Sequence, residues 1–238
     1  MPNTPATDIV IPFRSVDKFR TEACLKHCIE TLFENTHNFR LIFVDDNSDD
    51  VGREFLHGIA CTYPECVVIR TYKQRWFTRA VNLGLRLVRT PWCVELNSDV
   101  SLGVGWLEEL YAVKDELEQN GGMRVGLVGS VYAANEPRRY HVTRPPDFVT
   151  GHCWLINMEA ARQVSVTLGT PNDYLDETNA KSIHIFSDNH LCYQMNNLGW
   201  QTVMAFKSGV GHAAGKSWGH RLGDIPSSLS AVEFKYGN

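Results

Sequence analysis

What most constrains this chain is a rhythm in its first hundred residues. Short apolar runs alternate with stretches of helical spacing, and the runs are cut off by polar or acidic residues. Ile9-Val10-Ile11, Leu41-Ile42-Phe43-Val44, Val67-Val68-Ile69 and Trp92-Cys93-Val94-Glu95-Leu96 have the length and hydrophobicity of strands buried on both faces. Between them, Ala23, Leu25, Cys28, Ile29, Leu32 and Phe33, and later Ala80, Leu83, Leu87 and Val88, recur at helical spacing. Strand–helix alternation of this kind predicts an α/β fold with a mostly parallel central sheet flanked by helices. Such sheets bind ligands at the carboxyl ends of their strands. Two polar loops fall there, Asp45-Asp46-Asn47-Ser48-Asp49-Asp50 and Asn97-Ser98-Asp99.

Past Asp99 the pattern changes. A helix is expected from about Trp106 to Asn120, stopped by Gly121-Gly122, then a strand from Val125 to Val131. An irregular stretch follows, with Pro137, Pro145 and Pro146 and the basic cluster Arg138, Arg139, His141 and Arg144. Met158 to Val166 and His190 to Leu198 read as helices, Thr202 to Phe206 as a strand, and the Gly- and Ser-rich chain beyond Gly209 as loop. At 238 residues the chain can bury a real core. Its formal charge of -4 supplies no global basic field for nucleic acid or an anionic membrane. Seven cysteines without a CxxC pair, and no HExxH, lack the spacing of a structural zinc site and read as reduced thiols of a cytoplasmic protein. No apolar run approaches the roughly 20 residues that span a bilayer.

Two acidic loops about 50 residues apart at strand ends suit a divalent cation shared with a nucleotide. Mg²⁺ or Mn²⁺ typically takes one or two carboxylates plus substrate phosphates. Asp49 and Asp50 read instead as helix caps. The segment Val210-Gly211-His212-Ala213-Ala214-Gly215-Lys216-Ser217 nearly spells a P-loop, but Val210 stands where the first glycine is required. No GxGxxG follows a strand to mark a dinucleotide site.

Seven fragments in order resemble the family 2 glycosyltransferases of the GT-A fold. They are Ile9-Val10-Ile11-Pro12; Phe43-Val44-Asp45-Asp46-Asn47-Ser48; Gln74 to Gly84; Leu96-Asn97-Ser98-Asp99-Val100 with Gly105-Trp106-Leu107; Thr150-Gly151; Ser187-Asp188-Asn189-His190-Leu191-Cys192 with Leu198-Gly199-Trp200; and His212 with Gly215 and Ser217-Trp218. Leu96 to Leu107 is most similar to rhamnosyltransferase-like members. The resemblance implies a single GT-A domain over 1–238. Residues 1–100 form the nucleotide-sugar half, 101–220 the acceptor-binding and catalytic half, and 221–238 a tail.

It also implies residue roles. Pro12, Arg14, Asp45, Asp46, Arg79, Asn82 and Ser98 would bind the donor nucleotide, with Asp46 accepting a hydrogen bond from the base and Asp45 supporting the loop. Asp99 and His212 would hold Mn²⁺ or Mg²⁺ at the diphosphate. Asp188, at a helix start whose amides favour its ionised form, would be the general base. Gly151 and Trp154 would face the acceptor. The expected reaction is metal-dependent, inverting transfer from a UDP- or dTDP-type sugar to a hydroxyl of a saccharide or other glycan.

Alternatives are a nucleic-acid or protein acceptor, or an inactive nucleotide-sugar-binding module. An anionic acceptor would need Arg138, Arg139, His141, Arg144 and Lys73-Gln74-Arg75-Trp76 to form one basic edge. Three departures from the family pattern stand out. Only one carboxylate of the usual DxD triplet is present; Ser187 replaces a glutamate; and Trp76 replaces a common glycine, so its loop should differ locally.

Overall fold

The computed structural model describes residues 5–16, 21–63, 65–131, 136–170, 173–175 and 187–212. Readings that fall on Gly215, Lys216, Ser217, Trp218 and the tail 221–238 lie outside the described residues, as does the side chain of Ser187.

The apolar runs become the centre of an eight-stranded sheet. In chain order the elements are β1 (Thr7–Phe13), α1 (Glu22–Asn35), β2 (Phe39–Asp45), α2 (Asp50–Thr62), β3 (Cys66–Arg70), α3 (Trp76–Leu85), β4 (Trp92–Leu96), β5 (Val100–Leu102) and α4 (Trp106–Gly121). Then follow β6 (Val125–Ser130), β7 (Tyr140–Thr143), β8 (Cys153–Asn157), α5 (Met158–Thr167), α6 (Ser187–Asn197), β9 (Gln201–Ala205) and β10 (Val210–His212). The sheet order is β3-β2-β1-β4-β8-β6-β9-β7. The strands β3, β2, β1, β4, β6 and β9 run one way, and β8 and β7 run against them. The mostly parallel sheet expected from the alternation is present.

Each sheet face carries a hydrophobic layer. On one side Ile9, Ile11, Leu41, Phe43, Val94 and Leu96 pack with α1 and α4; on the other Val10, Ile42 and Cys93 pack with α3, α5 and α6. Successive residues of β1, β2 and β4 alternate between these layers, as the two-residue period of a strand requires. Gly84 lets α3 lie close on β1, because a Cβ there would stand 2.3 Å from Val10 Cγ1. All seven cysteines are free thiols. Among the described residues no helix is long and apolar enough to cross a membrane.

Two expectations change. The stretch between Pro137 and Pro145 contains β7, which pairs with β9 through Tyr140↔Ala205 and Thr143↔Thr202. The segment after Gly209, read as loop, contains β10, which pairs antiparallel with β5, His212 opposite Val100. The partners in each pair are 59 residues or more apart in sequence, so no local pattern announces them.

Candidate active site

The carboxyl ends of β1, β2 and β4 meet at one edge of the sheet. There Asp45, buried at the end of β2, ties the loop that follows. Its Oδ2 takes Arg70 Nη1 at 2.5 Å and its Oδ1 accepts Ser48 N–H at 2.8 Å. Arg70 also donates to Ser48 O at 2.8 Å, and Ser15 N–H reaches Ser48 Oγ at 3.0 Å. Asp49 caps α2, accepting Gly52 N–H at 3.1 Å, which is the capping role read from the sequence.

Asp46 is fully buried. Its carboxylate accepts the N–H groups of Arg75 at 2.6 Å and Trp76 at 2.9 Å, and Thr71 O–H at 3.1 Å. It sits on the amino end of α3, where orphan amides and the helix dipole attract an anion. Burial nevertheless raises its pKa; those three hydrogen bonds and the Arg14 charge only partly offset the lost hydration. Trp76 itself lies at φ 68°, in the left-handed region. A tryptophan therefore occupies a backbone conformation that favours glycine. A bulky residue there carries strain of about 1–2 kcal/mol.

Asp99 and His212 come together through the β5–β10 pairing. His212 Nε2 lies 3.2 Å from Asp99 Oδ1. A third residue, unmarked in the sequence reading, completes the group: the His152 ring stacks on His212, centroids 4.8 Å apart and planes 9° apart. His152 is buried, and burial, with His212 beside it, lowers its pKa to about 4 despite the opposing charge of Asp99. Its place in the turn before β8, next to Gly151, was the available signal.

Asp188 lies in the first turn of α6 and accepts N–H groups from Asn189, at 2.9 Å, and from Gly151. Helix amides were expected to favour its ionised form. Burial outweighs them and raises its pKa to about 6. Glu95, also unmarked by the sequence reading, is fully buried on β4. Burial pushes its pKa well above the usual carboxylate range, and the charges of Asp188 and Asp99 push it further.

A cavity of about 650 Å³ is lined by Val131, Thr150, Gly151, His152, Asp188, Gly211 and His212. A second, of about 430 Å³, lies between α1 and the β5–β10 ribbon and is lined by Cys24, His27, Asp99, Ser101 and His212 among others. The Asp99–His212 pair stands between the two. Around it, Arg14 Nε, both carboxylate oxygens of Glu95, Asn97 Oδ1, Ser98 Oγ and His152 Nε2 are buried without a hydrogen-bond partner among the described residues. Folded interiors pair nearly all such atoms. These atoms concentrate at the end of the sheet where β1 and β4 finish and β8 begins.

Other expected site residues fall differently. Pro12 is buried within β1, opposite Val44, and Arg79 is half-buried in the first turn of α3. Asn82 is fully buried and spends its amide on the backbone of Leu175, Nδ2 donating at 2.8 Å and Oδ1 accepting at 2.9 Å. It is not among the residues lining the two cavities. Trp154 is likewise a core residue: its Nε1 donates to Thr150 O at 2.8 Å, behind the cavity wall. Gly151 needs to be glycine, since a Cβ would stand 2.8 Å from the Trp154 ring. Two members of the basic cluster are paired locally: Arg138 binds Glu136, and Arg139 binds Glu109 and Glu116.

Three comparisons bear on this arrangement. The model of "Glycosyl transferase family 2" matches residues 8–165. No curated protein sequence matches the chain. Among solved structures, the mannosyltransferase PcManGT from Pyrobaculum calidifontis, in complex with GDP-Man and Mn2+, superposes with a TM-score of 0.60 at 15% identity. That match covers 87% of this chain and 56% of the mannosyltransferase, so the chain spans little more than half of its length. The likeness establishes the fold, and the family model, spanning well over half the sequence, establishes the rest: the chain belongs to the family 2 glycosyltransferases and carries their GT-A fold.

Proposed function

We propose that this glycosyltransferase carries out a metal-dependent, inverting transfer from a nucleotide-diphosphate sugar to a hydroxyl of a saccharide or other glycan, with Asp188 as general base. The observation that carries this reading is the 650 Å³ cavity lined by both Asp188 and His212, with Asp99 3.2 Å from the His212 ring. A base and a diphosphate-binding pair at one cavity are what a single displacement requires.

Asp99 and His212 are the residues that fit a cation. A carboxylate suits Mg²⁺ and Mn²⁺, and an added imidazole favours Mn²⁺. Among the described residues no group of three or more His, Cys, Asp or Glu side chains forms a cage. Substrate phosphates and water are left to complete the shell, as is usual for such ions. A cation held there supplies Lewis-acid stabilisation of the leaving diphosphate.

The chain's own residues do the rest. Asp188 accepts the acceptor hydroxyl's proton as its oxygen bonds to the anomeric carbon and the carbon–phosphate-oxygen bond breaks, releasing nucleoside diphosphate. A pKa of about 6 leaves Asp188 ionised at neutral pH yet basic enough to take the proton. The capped Asp45–Ser48 loop and Arg14 form the nucleotide side. Asp46 gives three of its roughly four acceptor positions to α3 and Thr71 and keeps one for the base. The local pairing of Arg138 and Arg139 supports an uncharged glycan over an anionic acceptor.

The test is a panel of UDP-, dTDP- and GDP-sugars scored for nucleoside diphosphate release with Mn²⁺, with and without simple glycan acceptors. Turnover of one donor, stimulated by an acceptor and lost in Asp188→Asn, is expected. Tight donor binding with no turnover under any condition would reduce the chain to a binding module.

A further inference from the structure

We infer that His152 is a positioning residue whose ring, stacked face to face on His212, holds the His212 imidazole against Asp99 in the geometry that captures a divalent ion; this rests on the metal reading above. The two rings differ greatly in how firmly they are held. His212 ends a three-residue strand and its side chain is 26% exposed. His152 is anchored on three sides. Its carbonyl accepts Asn97 N–H at 3.0 Å, its N–H reaches Thr150 O at 3.2 Å, and its Nδ1 lies 3.4 Å from Thr150 Oγ1. The Asn97 bond joins it to the β4 end that carries Asp99, so the stacked ring and the carboxylate are fixed to the same stretch of chain.

The stack also says what His152 does not do. The lone pair of an imidazole nitrogen lies in the plane of its ring. Two stacked planes only 9° apart cannot both aim at one ion roughly 2 Å from each nitrogen. His152 therefore acts through His212. The stacking role asks only for an aromatic face, so a ring without Nε2, an atom with no partner among the described residues, serves equally well. Residues that orient metal ligands from behind typically change affinity about 10- to 100-fold when removed.

The experiment compares the full chain with His152→Phe, which keeps an aromatic face, and His152→Leu, which fills the space without one. Mn²⁺ alone is titrated, with free ion read by electron paramagnetic resonance, and the His212 ring protons are followed by NMR in the metal-free protein. Circular dichroism verifies that both variants fold.

His152→Phe is expected to bind Mn²⁺ within about threefold of the parent and to keep the ring-current shift of His212. His152→Leu is expected to lose that shift and to bind about tenfold or more weakly. Parental Mn²⁺ affinity in His152→Leu overturns the proposal. Equal weakening in both variants also overturns it, since the nitrogen and not the face would then matter. A parent that takes up no Mn²⁺ overturns the metal reading itself. That failure is told apart because the His212 ring-current shift still disappears in His152→Leu.

Discussion

Asp188→Asn separates what Asp188 does for the reaction from what it does to the fold. The carboxyl pKa rises from an ordinary 3.8 to about 6, with burial as the leading cause. At about 1.4 kcal/mol per unit, an ionised Asp188 costs the folded protein about 3 kcal/mol at neutral pH. Because the folded pKa lies above the unfolded one, the folded state holds this proton more tightly. Stability is therefore lost as pH rises from about 4 to about 6, and the full cost applies above that.

Asparagine is neutral at every pH and keeps an oxygen for the Asn189 and Gly151 amides. Its new Nδ2 donor takes back part of the gain, leaving about 1–3 kcal/mol. For a chain of this size that is roughly 2–12 °C in Tm. The assay is thermal unfolding of parent and variant at pH 8 and at pH 4, beside the transfer rate. The variant is expected to melt higher at pH 8, the difference shrinking towards pH 4, while transfer falls by about 10²-fold. A variant no more stable than the parent at pH 8, or a difference independent of pH, would refute the buried-carboxylate reasoning. Near-parental transfer would refute the base assignment.

Other predictions follow from the same geometry. The kcat/KM of the parent is expected to fall with unit slope below a pH of about 6, as Asp188 becomes protonated, and a profile flat down to pH 5 would contradict it. Gly84→Ala is expected to cost about 1–3 kcal/mol in denaturant unfolding, because its methyl meets Val10 in a packed interface; an unchanged midpoint would show that α3 shifts freely. Trp76→Gly is expected to change stability by less than about 1 kcal/mol, relief of the left-handed backbone offsetting lost contacts, and a loss of several kcal/mol would show that the side chain matters more than the strain.

Much of this was legible in the sequence because buried parallel strands write themselves as unbroken apolar runs. Ile9 to Ile11 and Leu41 to Val44 became β1 and β2, and the acids that follow β2 and β4 lie together at the carboxyl ends of the strands. Asp188 was legible as a helix start. What stayed hidden depends on distant parts of the chain. The resemblance put His212 with Asp99, but the pairing of β10 with β5 that joins them was not legible. His152 becomes part of the site only because β8 inserts between β4 and β6. Asn82 and Trp154 carry polar groups that could meet a ligand, but Leu175 and Thr150 satisfy them inside the core. Residue type says what a side chain can bond, and the long-range topology decides with whom.

The central claim is that Asp99 and His212 bind the nucleotide diphosphate through a divalent ion. Its most direct test is calorimetric titration with the nucleoside diphosphate selected by the donor panel, in Mn²⁺ and in excess chelator, for the parent and Asp99→Ala. The account predicts tight binding by the parent in Mn²⁺, weakened about tenfold or more by chelator, and an Asp99→Ala protein that binds weakly in both. Equal affinity with and without Mn²⁺, with Asp99→Ala behaving as the parent does, would contradict it.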